Sequence, residues 1–443
     1  MLYAYFRTFG CKVNQCETNA LIHSFAEAGI AQTDDPQAAD VIVINSCTVT
    51  AQGDSRVLTA IRRLRRDFPD LPIVLTGCLP QAQPELAEQC AEADLIRGTR
   101  DRAALANEVK ALLARENPVR CQVTPYTGRT EFERFHQPPA KDKTRGFLKI
   151  QDGCDRFCSY CIIPFARGRS RSMPPEEIKK AAQEMHTAGH KEIVLVGINL
   201  AFYGEEFGLR LVDAVSLCAE SGISRIRLGS LEPEQLSDED LRRLSEIPQL
   251  CPQFHLSLQS GCDRTLQAMR RHYTAEEYFQ LTERIRRFFP DCALTTDVMV
   301  GFPGETEEDF SASLAFVEKI GFAQVHVFPY SPRIGTKAAS LSGQIPERIK
   351  TERAARMNAL ADRLHEQFLA AQVGKTVSVL FERENPREAQ YHRGHTPNFT
   401  PVVTPVFGEN NSLRKQVFRV IIKRNDSARC YGTILAENTN SLE

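Results

Sequence analysis

Apolar runs of four to seven residues recur through residues 1–115, in LYAYFRTFG, ADVIVINSC, LPIVLTGCLP and DLIRG. Between them lie segments whose apolar residues keep helical spacing, CETNALIHSFAEAG, DSRVLTAIRRLRRDFP and PELAEQCAEAD. Near-continuous runs such as VIVI and IVLT alternating with helices predict a small parallel α/β sheet. Residues 116–145 break the pattern with HQPPAKDKTR, whose Pro-Pro excludes continued helix and predicts a connector. From 146 to 330 six strand-like runs follow: GFLKIQD, KEIVLVG, RIRLGSL, QFHLSLQS, ALTTDVMVG and AQVHVFPY. Helix-like stretches such as PPEEIKKAAQEMHTAG and TAEEYFQLTERIRRFF separate them, predicting an open (β/α)6 barrel with its functional loops at the C-terminal strand ends. A long helical run, ERIKTERAARMNALADRLHEQFLAAQVG, closes this unit near 373, and the short strands of 374–443 predict a small all-β barrel.

Three units suit a chain of 443 residues, which is long for one core. Its 42% hydrophobic and 25% charged residues suit a globular protein. The opening MLYAYFRTFGCKVNQ lacks the basic and long apolar stretches of a signal peptide, and no apolar run approaches the length of a membrane span. Fourteen cysteines in such a chain argue for metal thiolates in a reducing compartment, the cytoplasm, rather than a disulfide framework. A net charge of −1 hides local clusters. Between Lys141 and Arg171 eight basic residues face three acidic ones, and Arg56, Arg62, Arg63, Arg65 and Arg66 form a second group. Each is a solvated face or a nucleic-acid contact; the position of the first beside a candidate reaction centre favours contact.

That centre is Cys154, Cys158 and Cys161, a C-x₃-C-x₂-C triplet directly after the first barrel strand. Three thiolates so spaced can hold three irons of a [4Fe–4S] cluster and leave the fourth open for a chelating cofactor. A zinc site would need a fourth ligand, and the next Cys is distant Cys218. Cys11, Cys47 and Cys78, 36 and 31 positions apart, each follow a strand-like run. In a parallel sheet such strand ends share one edge, so these thiols can converge on a second cluster; buried packing thiols are the alternative. Cys16 and Cys90 read as packing residues within helices.

The triplet, with Tyr160 before its last Cys, resembles the hallmark of radical S-adenosylmethionine (SAM) enzymes. TFGCKVNQCETN, NSCTVT, TGCLPQ, LSLQSGCDRTLQAMRRHY, DVMVGFPGETEEDF and FPYSPRIGTKAA together resemble the methylthiotransferase family in order, across most of residues 7–339. TFGCKVNQCET and FPYSPRIGTKAA are most similar to its branch acting on tRNA N6-threonylcarbamoyladenosine. The resemblance implies two [4Fe–4S] clusters, one on Cys154/Cys158/Cys161 with SAM and one on Cys11/Cys47/Cys78. It implies a central radical SAM barrel and a TRAM-like RNA-binding barrel at the C-terminus. The activity implied is methylthio transfer to C2 of the adenosine at position 37, with the tRNA anticodon stem-loop, an external electron donor and an unidentified sulfur donor as partners of a monomer.

At the other strand ends, Gly197, Glu232, Gln259, Arg271 and Asp297 are candidate SAM contacts, with Arg271 suited to pair a carboxylate. Phe157 and Tyr160 are expected to shield the cluster and flank adenine. Asn14 and Gln15 could hydrogen-bond near Cys11, and His255 reads as structural. In the C-terminal unit Lys375, Arg393, Arg414, Lys415, Arg419, Lys423 and Arg424, with Tyr391, His392 and Phe399, suit phosphates and stacked bases. His395 stands where GHTPNF departs from the family's aromatic-Asn-aromatic pattern. A ribosomal-protein substrate, another modified tRNA adenosine, and a non-enzymatic iron–sulfur RNA-binding protein are the competing readings. The basic C-terminal unit counts against the first, and the barrel with its QSG and GFPGE turns against the last.

Overall fold

The computed structural model describes residues 1–134, 136–139, 143–382, 386–406 and 412–435; Lys141, Asp142 and residues 436–443 of the expected units lie outside them. Residues 2–122 build one sheet of six parallel strands, in the order Ile30–Thr33, Leu2–Thr8, Val41–Ser46, Ile73–Gly77, Leu95–Arg97, Cys121–Gln122. Successive side chains of a strand point to opposite faces, and both faces here are covered. Val41 and Val43 pack with Leu21, Phe25 and Val109, whereas Ile42 and Ile44 pack with Val57, Ile61 and Leu64. The helices Lys12–Glu27 and Leu105–Leu113 therefore lie on one face and Ala51–Asp67 on the other.

The segment read as a connector is partly structural. Cys121–Gln122 adds the sixth strand, Phe132 enters the barrel core, and Gln137 exchanges two hydrogen bonds with the Lys149 backbone, at 2.8 and 2.9 Å. Its Pro-Pro pair blocks helix as expected, yet the chain uses its polar groups to run along both neighbours.

The barrel strands occur in the expected order, all parallel, but as two sheets. Arg145–Lys149, Glu192–Val196 and Arg225–Leu228 form one; Ser230–Leu231, Gln253–Leu256, Ala293–Val300 and Gln324–Pro329 form the other. The break falls at Gly229, inside the run RIRLGSL, whose halves belong to different sheets. A β-carbon there would lie 3.0 Å from the Leu195 carbonyl, which accepts the Gly229 N–H. Leu148, Ile193, Leu195, Ile226 and Leu228 enter the hydrophobic core. Their alternates, including Arg145, Glu192 and Arg227, consequently point into the barrel. The helix Glu347–Ala370 covers the last strand, as His365 Nδ1 sits 2.7 Å from the Ala323 carbonyl oxygen.

Residues 376–434 close a five-stranded barrel around Val379, Phe381, Val402, Val420 and Ile422. This unit plugs the N-terminal end of the central barrel. Arg225 donates to the Ser378 and His395 carbonyls at 2.9 and 3.1 Å, and Arg227 to Pro397 O at 2.8 Å. Arg145 pairs with Glu382 at 2.6 Å. Arg145 and Arg227 both lie on the ring of Phe399, 5.0 and 4.6 Å from its centre, and His395 stacks on it at 4.3 Å. Of the rings expected to serve RNA, His392 is buried, while Phe399 is held in this joint with part of its surface exposed. Tyr391 instead meets Tyr431, over which Arg424 lies at 3.6 Å; Arg393, Arg419 and Lys423 are also exposed on this unit.

Burial pushes the Glu382 carboxyl up, but His395 and then Arg145 hold it down at about 2. Its contribution to docking is therefore complete above the ordinary carboxylate value of about 4.3 and is lost as pH falls toward 2. Acidification through this window is expected to raise amide exchange across 376–405. Glu382→Gln should expose the same amides at neutral pH, by about 3 kcal/mol of lost protection, and flatten the acid dependence. Unchanged exchange in that variant would disprove the docking role.

Candidate active site

Cys11, Cys47 and Cys78 follow the strands Leu2–Thr8, Val41–Ser46 and Ile73–Gly77, which are neighbours in the sheet. The strand order reverses between the first two, so the three thiols lie at the edge where α/β sheets form ligand sites. Gly10, at φ 107°, lets Cys47 come close: a β-carbon there would meet the Cys47 β-carbon at 2.6 Å and its sulfur at 2.9 Å. Asn14, one turn into the following helix, has Oδ1 3.6 Å from Cys11 Sγ and 4.0 Å from Cys78 Sγ. Its amide nitrogen donates to the Phe9 and Ser46 carbonyls, at 2.9 and 2.8 Å, fixing the side chain between two strand ends. Gln15 points to solvent.

The triplet loop lies between the paired strands Gln151–Asp152 and Arg171–Ser172. Gly153, at φ 72°, admits the Arg169 carbonyl where a β-carbon would approach it to 2.0 Å. Phe157 adopts the left-handed region at φ 47°, so three cysteines turn within eight residues. Cys154 Sγ accepts from the Arg156 backbone at 3.5 Å and from Asn199 Nδ2 at 3.6 Å; Cys158 Sγ accepts from Arg271 Nη1 at 3.4 Å. Tyr160 packs with Met269, Met299 and Phe302, and Phe157 lies edge-on to Phe165 beneath Arg169.

Both thiol sets fit a cubane in donor chemistry. Each supplies three sulfurs, and N–H groups point at Cys78, Cys154 and Cys158 as a bound thiolate requires. Among the described residues no group of three Cys, His, Asp or Glu is close enough to hold a single metal ion. A cubane spreads its thiolates over separate irons and does not require three ligands within reach of one ion. Burial pushes the Cys154 thiol up to about 11 and the Cys78 thiol up to about 12, so loading such a site releases protons.

One side chain joins the two thiol sets. Arg167 stands six residues beyond Cys161, and its Nε donates to Cys78 Sγ at 3.2 Å. Its Nη2 donates to Asn14 Oδ1 at 3.0 Å and to Glu17 Oε2 at 2.9 Å. Glu17 also takes Arg102 at 2.7 Å and Lys149 at 3.0 Å, while Asp152 takes Lys149 at 3.2 Å and Arg171 at 3.1 Å. All these side chains are 5% exposed or less. Burial alone would raise the Glu17 carboxyl; Arg102, Arg167 and Lys149 reverse this and hold it well below the carboxylate range. A second joint, Arg333 to Thr48 and Asp54 at 2.6 and 2.5 Å, closes the other side.

The basic run around the triplet is thus not the free positive field expected of it. Lys149, Arg167 and Arg171 are buried ion-pair partners, Arg145 serves the lower joint, Arg156 pairs with Glu234 at 2.6 Å and Arg169 with Asp155 at 2.9 Å. In the arginine group of the first sheet, Arg65 bonds Glu92, Pro69 and Leu71 carbonyls, whereas Arg56, Arg62, Arg63 and Arg66 stay exposed.

Several expected SAM contacts take other partners. Arg271 is paired with Glu232 and donates to Ser257 O at 3.1 Å as well as to Cys158, so it does not present a free fork to a carboxylate. Gly197 is approached by Gln151, whose side chain would lie 2.9 Å from a β-carbon there. Asp297 holds His255 Nε2 at 3.2 Å, and Thr295 holds the other ring nitrogen at 3.0 Å, as a structural histidine requires. Gln259, in the left-handed region at φ 67°, keeps a buried Oε1 without a partner among the described residues. So does Asn199 Oδ1, which sequence reasoning missed and which only its place beyond the second strand could have signalled. Cys16, Cys218 and Cys251 are core residues; Cys90 is too, though it lies just beyond its helix rather than within it.

Residues 148–317 match the radical SAM superfamily and residues 3–98 the family described as Uncharacterized protein family UPF0004. Threonylcarbamoyladenosine tRNA methylthiotransferase MtaB of Bacillus subtilis is 38% identical over 404 residues, 90% of this chain and 89% of that protein. The enzyme of that name from Thermotoga maritima is 36% identical over 377 residues, 85% of each. Among solved structures, the radical SAM methyltransferase TsrM of Kitasatospora setae superposes with a TM-score of 0.56 at 14% identity, over 76% of this chain and 74% of that one, which is a likeness of fold. The chain belongs to the radical SAM enzymes, in the family of tRNA methylthiotransferases typified by these MtaB proteins. It is accordingly an enzyme of tRNA modification whose family works with SAM and [4Fe–4S] clusters. No helix among the described residues is long and apolar enough to cross a membrane.

Arg167→Gln would leave Glu17 and Cys78 without their shared donor. The expected cost is about 3–5 kcal/mol, the usual effect of breaking a buried ion pair, read as a lowered thermal midpoint. Arg167→Lys should recover only part, because an ammonium cannot bridge Cys78, Asn14 and Glu17 together. Equal midpoints for wild type and Arg167→Gln would contradict the bridging role.

Proposed function

We propose that this protein transfers a methylthio group to C2 of N6-threonylcarbamoyladenosine at position 37 of tRNA. Cys154, Cys158 and Cys161 hold the SAM-binding [4Fe–4S] cluster, and Cys11, Cys47 and Cys78 hold the second. When bound, the first supplies the electron for radical cleavage of SAM and the second carries the sulfur to be inserted. The observation that carries the reading is the Arg167 bridge, which ties the triplet loop to Cys78 across the domain boundary. A base placed between the two thiol sets can meet both reactants without leaving the site. Hydrogen abstraction requires an approach of roughly 3–3.5 Å, so rigid placement is the protein's main contribution.

Around the triplet, Arg271 and Asn199 donate to Cys158 and Cys154 and orient them, while Phe157 and Tyr160 exclude water. Gln259 and Asn199, each with a buried free oxygen, are the foremost candidates for SAM's ammonium and hydroxyl donors. Glu232 and Arg271 act on SAM as a neutral pair, Gly197 shapes the Gln151 turn, and Asp297 acts through His255. The face bearing Tyr391, Tyr431, Arg424 and Lys423 anchors the RNA, its rings stacking and its cations meeting phosphates. A flipped-out base of the anticodon loop reaches the site at low unstacking cost. The enzyme works as a cytoplasmic monomer with an external electron donor and a sulfur donor. The units are 1–115, the connector 116–145, 146–373 and 374–443, with 121–122 shared by the first sheet.

Anaerobically reconstituted protein, given SAM, reductant and tRNA carrying the modified adenosine, is expected to yield the C2 methylthio product by mass spectrometry. SAM cleavage without that product would overturn the substrate assignment. The wild type should contain about eight irons per chain and Cys47→Ala about four. Cys158→Ala should abolish 5′-deoxyadenosine formation, whereas Cys47→Ala should retain it without sulfur insertion. Methylthio product from Cys47→Ala would refute the role of the second site.

A further inference from the structure

The interior of the central barrel holds charges that the two thiol sets do not use. Arg145, Glu192 and Arg227 point inward, and Phe399 of the C-terminal unit forms a floor that is still 37% exposed. Into this space reaches Lys12, the residue after Cys11. Its helix enters the barrel side, with Val13 and Cys16 packed on Val194, Val196 and Phe147. Lys12 is solvent-exposed, and Val13 beside it packs with Val194, which pairs in register with Arg227 and Phe147 and stands two residues from Glu192. The nearby carboxylate is already taken: Glu192 binds Arg145 at 2.7 Å and Arg227 at 2.8 Å. Among the described residues Lys12 has no ion-pair partner, and Glu382, the other acid of this region, is bound to Arg145 and His395.

An exposed ammonium and a partly exposed aromatic ring, set beside the cations of the barrel interior, suit an anion on a partly apolar body. N6-threonylcarbamoyl is such a group: a planar carbamoyl, a methyl-bearing carbon and a free carboxylate, carried on C6, which N1 alone separates from C2. We propose that Lys12 binds this carboxylate, so that the side chain beside Cys11 recognises the existing modification while Cys11 serves the reaction at C2. The inference rests on the substrate reading above. Arg227 contributes field rather than direct bonds, because Glu192 and the carbonyls of the C-terminal turn occupy its donors, whereas Arg145, paired with Glu192 and Glu382, keeps Nη2 without a partner among the described residues and can assist Lys12. Lys12 is thus a specificity-determining residue, outside the cluster ligands and the SAM contacts.

The test compares anticodon stem-loop RNAs carrying N6-threonylcarbamoyladenosine, its carboxyl methyl ester, or plain adenosine, bound to the cluster-loaded enzyme without turnover. A charge-assisted bond is worth about 1.5–3 kcal/mol, so the free acid is expected to bind roughly ten-fold or more tighter than the ester. Lys12→Met and Lys12→Gln should bind acid and ester equally, Lys12→Arg should keep most of the preference, and SAM affinity and iron content should stay unchanged. Wild-type enzyme that does not distinguish acid from ester would overturn the proposal, as would variants that keep the preference. A parallel fall in SAM affinity would also overturn it, reassigning Lys12 to the carboxylate of SAM. Failure to prefer the modified adenosine over plain adenosine would instead remove the substrate reading, and this inference with it.

Discussion

A carboxylate enclosed by three cations holds this molecule together. Glu17, 1% exposed, comes from the first sheet's leading helix and is met by Arg102, Lys149 and Arg167. Two of these cations belong to the barrel, so neither unit can bury its own charges without the other. Charge burial is costly unless every partner is in place, and such pairs constrain geometry more reliably than they add stability. Here the constraint is positional: the guanidinium that neutralises Glu17 also contacts Cys78, and it projects from the loop that ends the triplet. The two thiol sets are therefore indexed to one another by the polar core rather than by the hydrophobic one.

Much of this was legible in the chain. Near-continuous apolar runs gave the parallel sheet, and cysteines placed immediately after them gave the shared edge, because strand ends in such a sheet must converge. The six barrel strands followed for the same reason. Gly229 splits the third because its missing side chain admits the Leu195 carbonyl, a close approach that no hydrophobic pattern reveals. Charge was harder to read. Lys149, Arg167 and Arg171 look in sequence like a basic patch, but their partners Glu17 and Asp152 are separated from one another by 135 positions. Whether an arginine faces phosphate or a buried acid depends on such distant partners. Arg271 illustrates the same limit: its pairing with Glu232 joins the turn after the helix Asp263–Ala268 to a strand end that sequence spacing leaves unrelated to it.

The C-terminal unit shows how one small barrel can face two ways. Its turn at 395–400 meets the arginines at the base of the central barrel, while Tyr391, Tyr431 and Arg424 occupy another part of its surface. Aromatic and basic residues that seemed to form one RNA-binding set divide between these faces. Phe399, which the composition alone would assign to bases, is gripped by two guanidinium groups and a histidine. One folded unit thereby caps the central barrel and presents a basic, aromatic surface of its own.

This plug also sets an order of assembly. Residues 395 and 397 leave the ribosome 170 positions after Arg225 and Arg227, whose guanidinium groups they cap. Until then the base of the nascent barrel stays wet, its guanidinium groups hydrated instead of capped. A chain halted short of this barrel would keep Arg145, Arg225 and Arg227 without those caps.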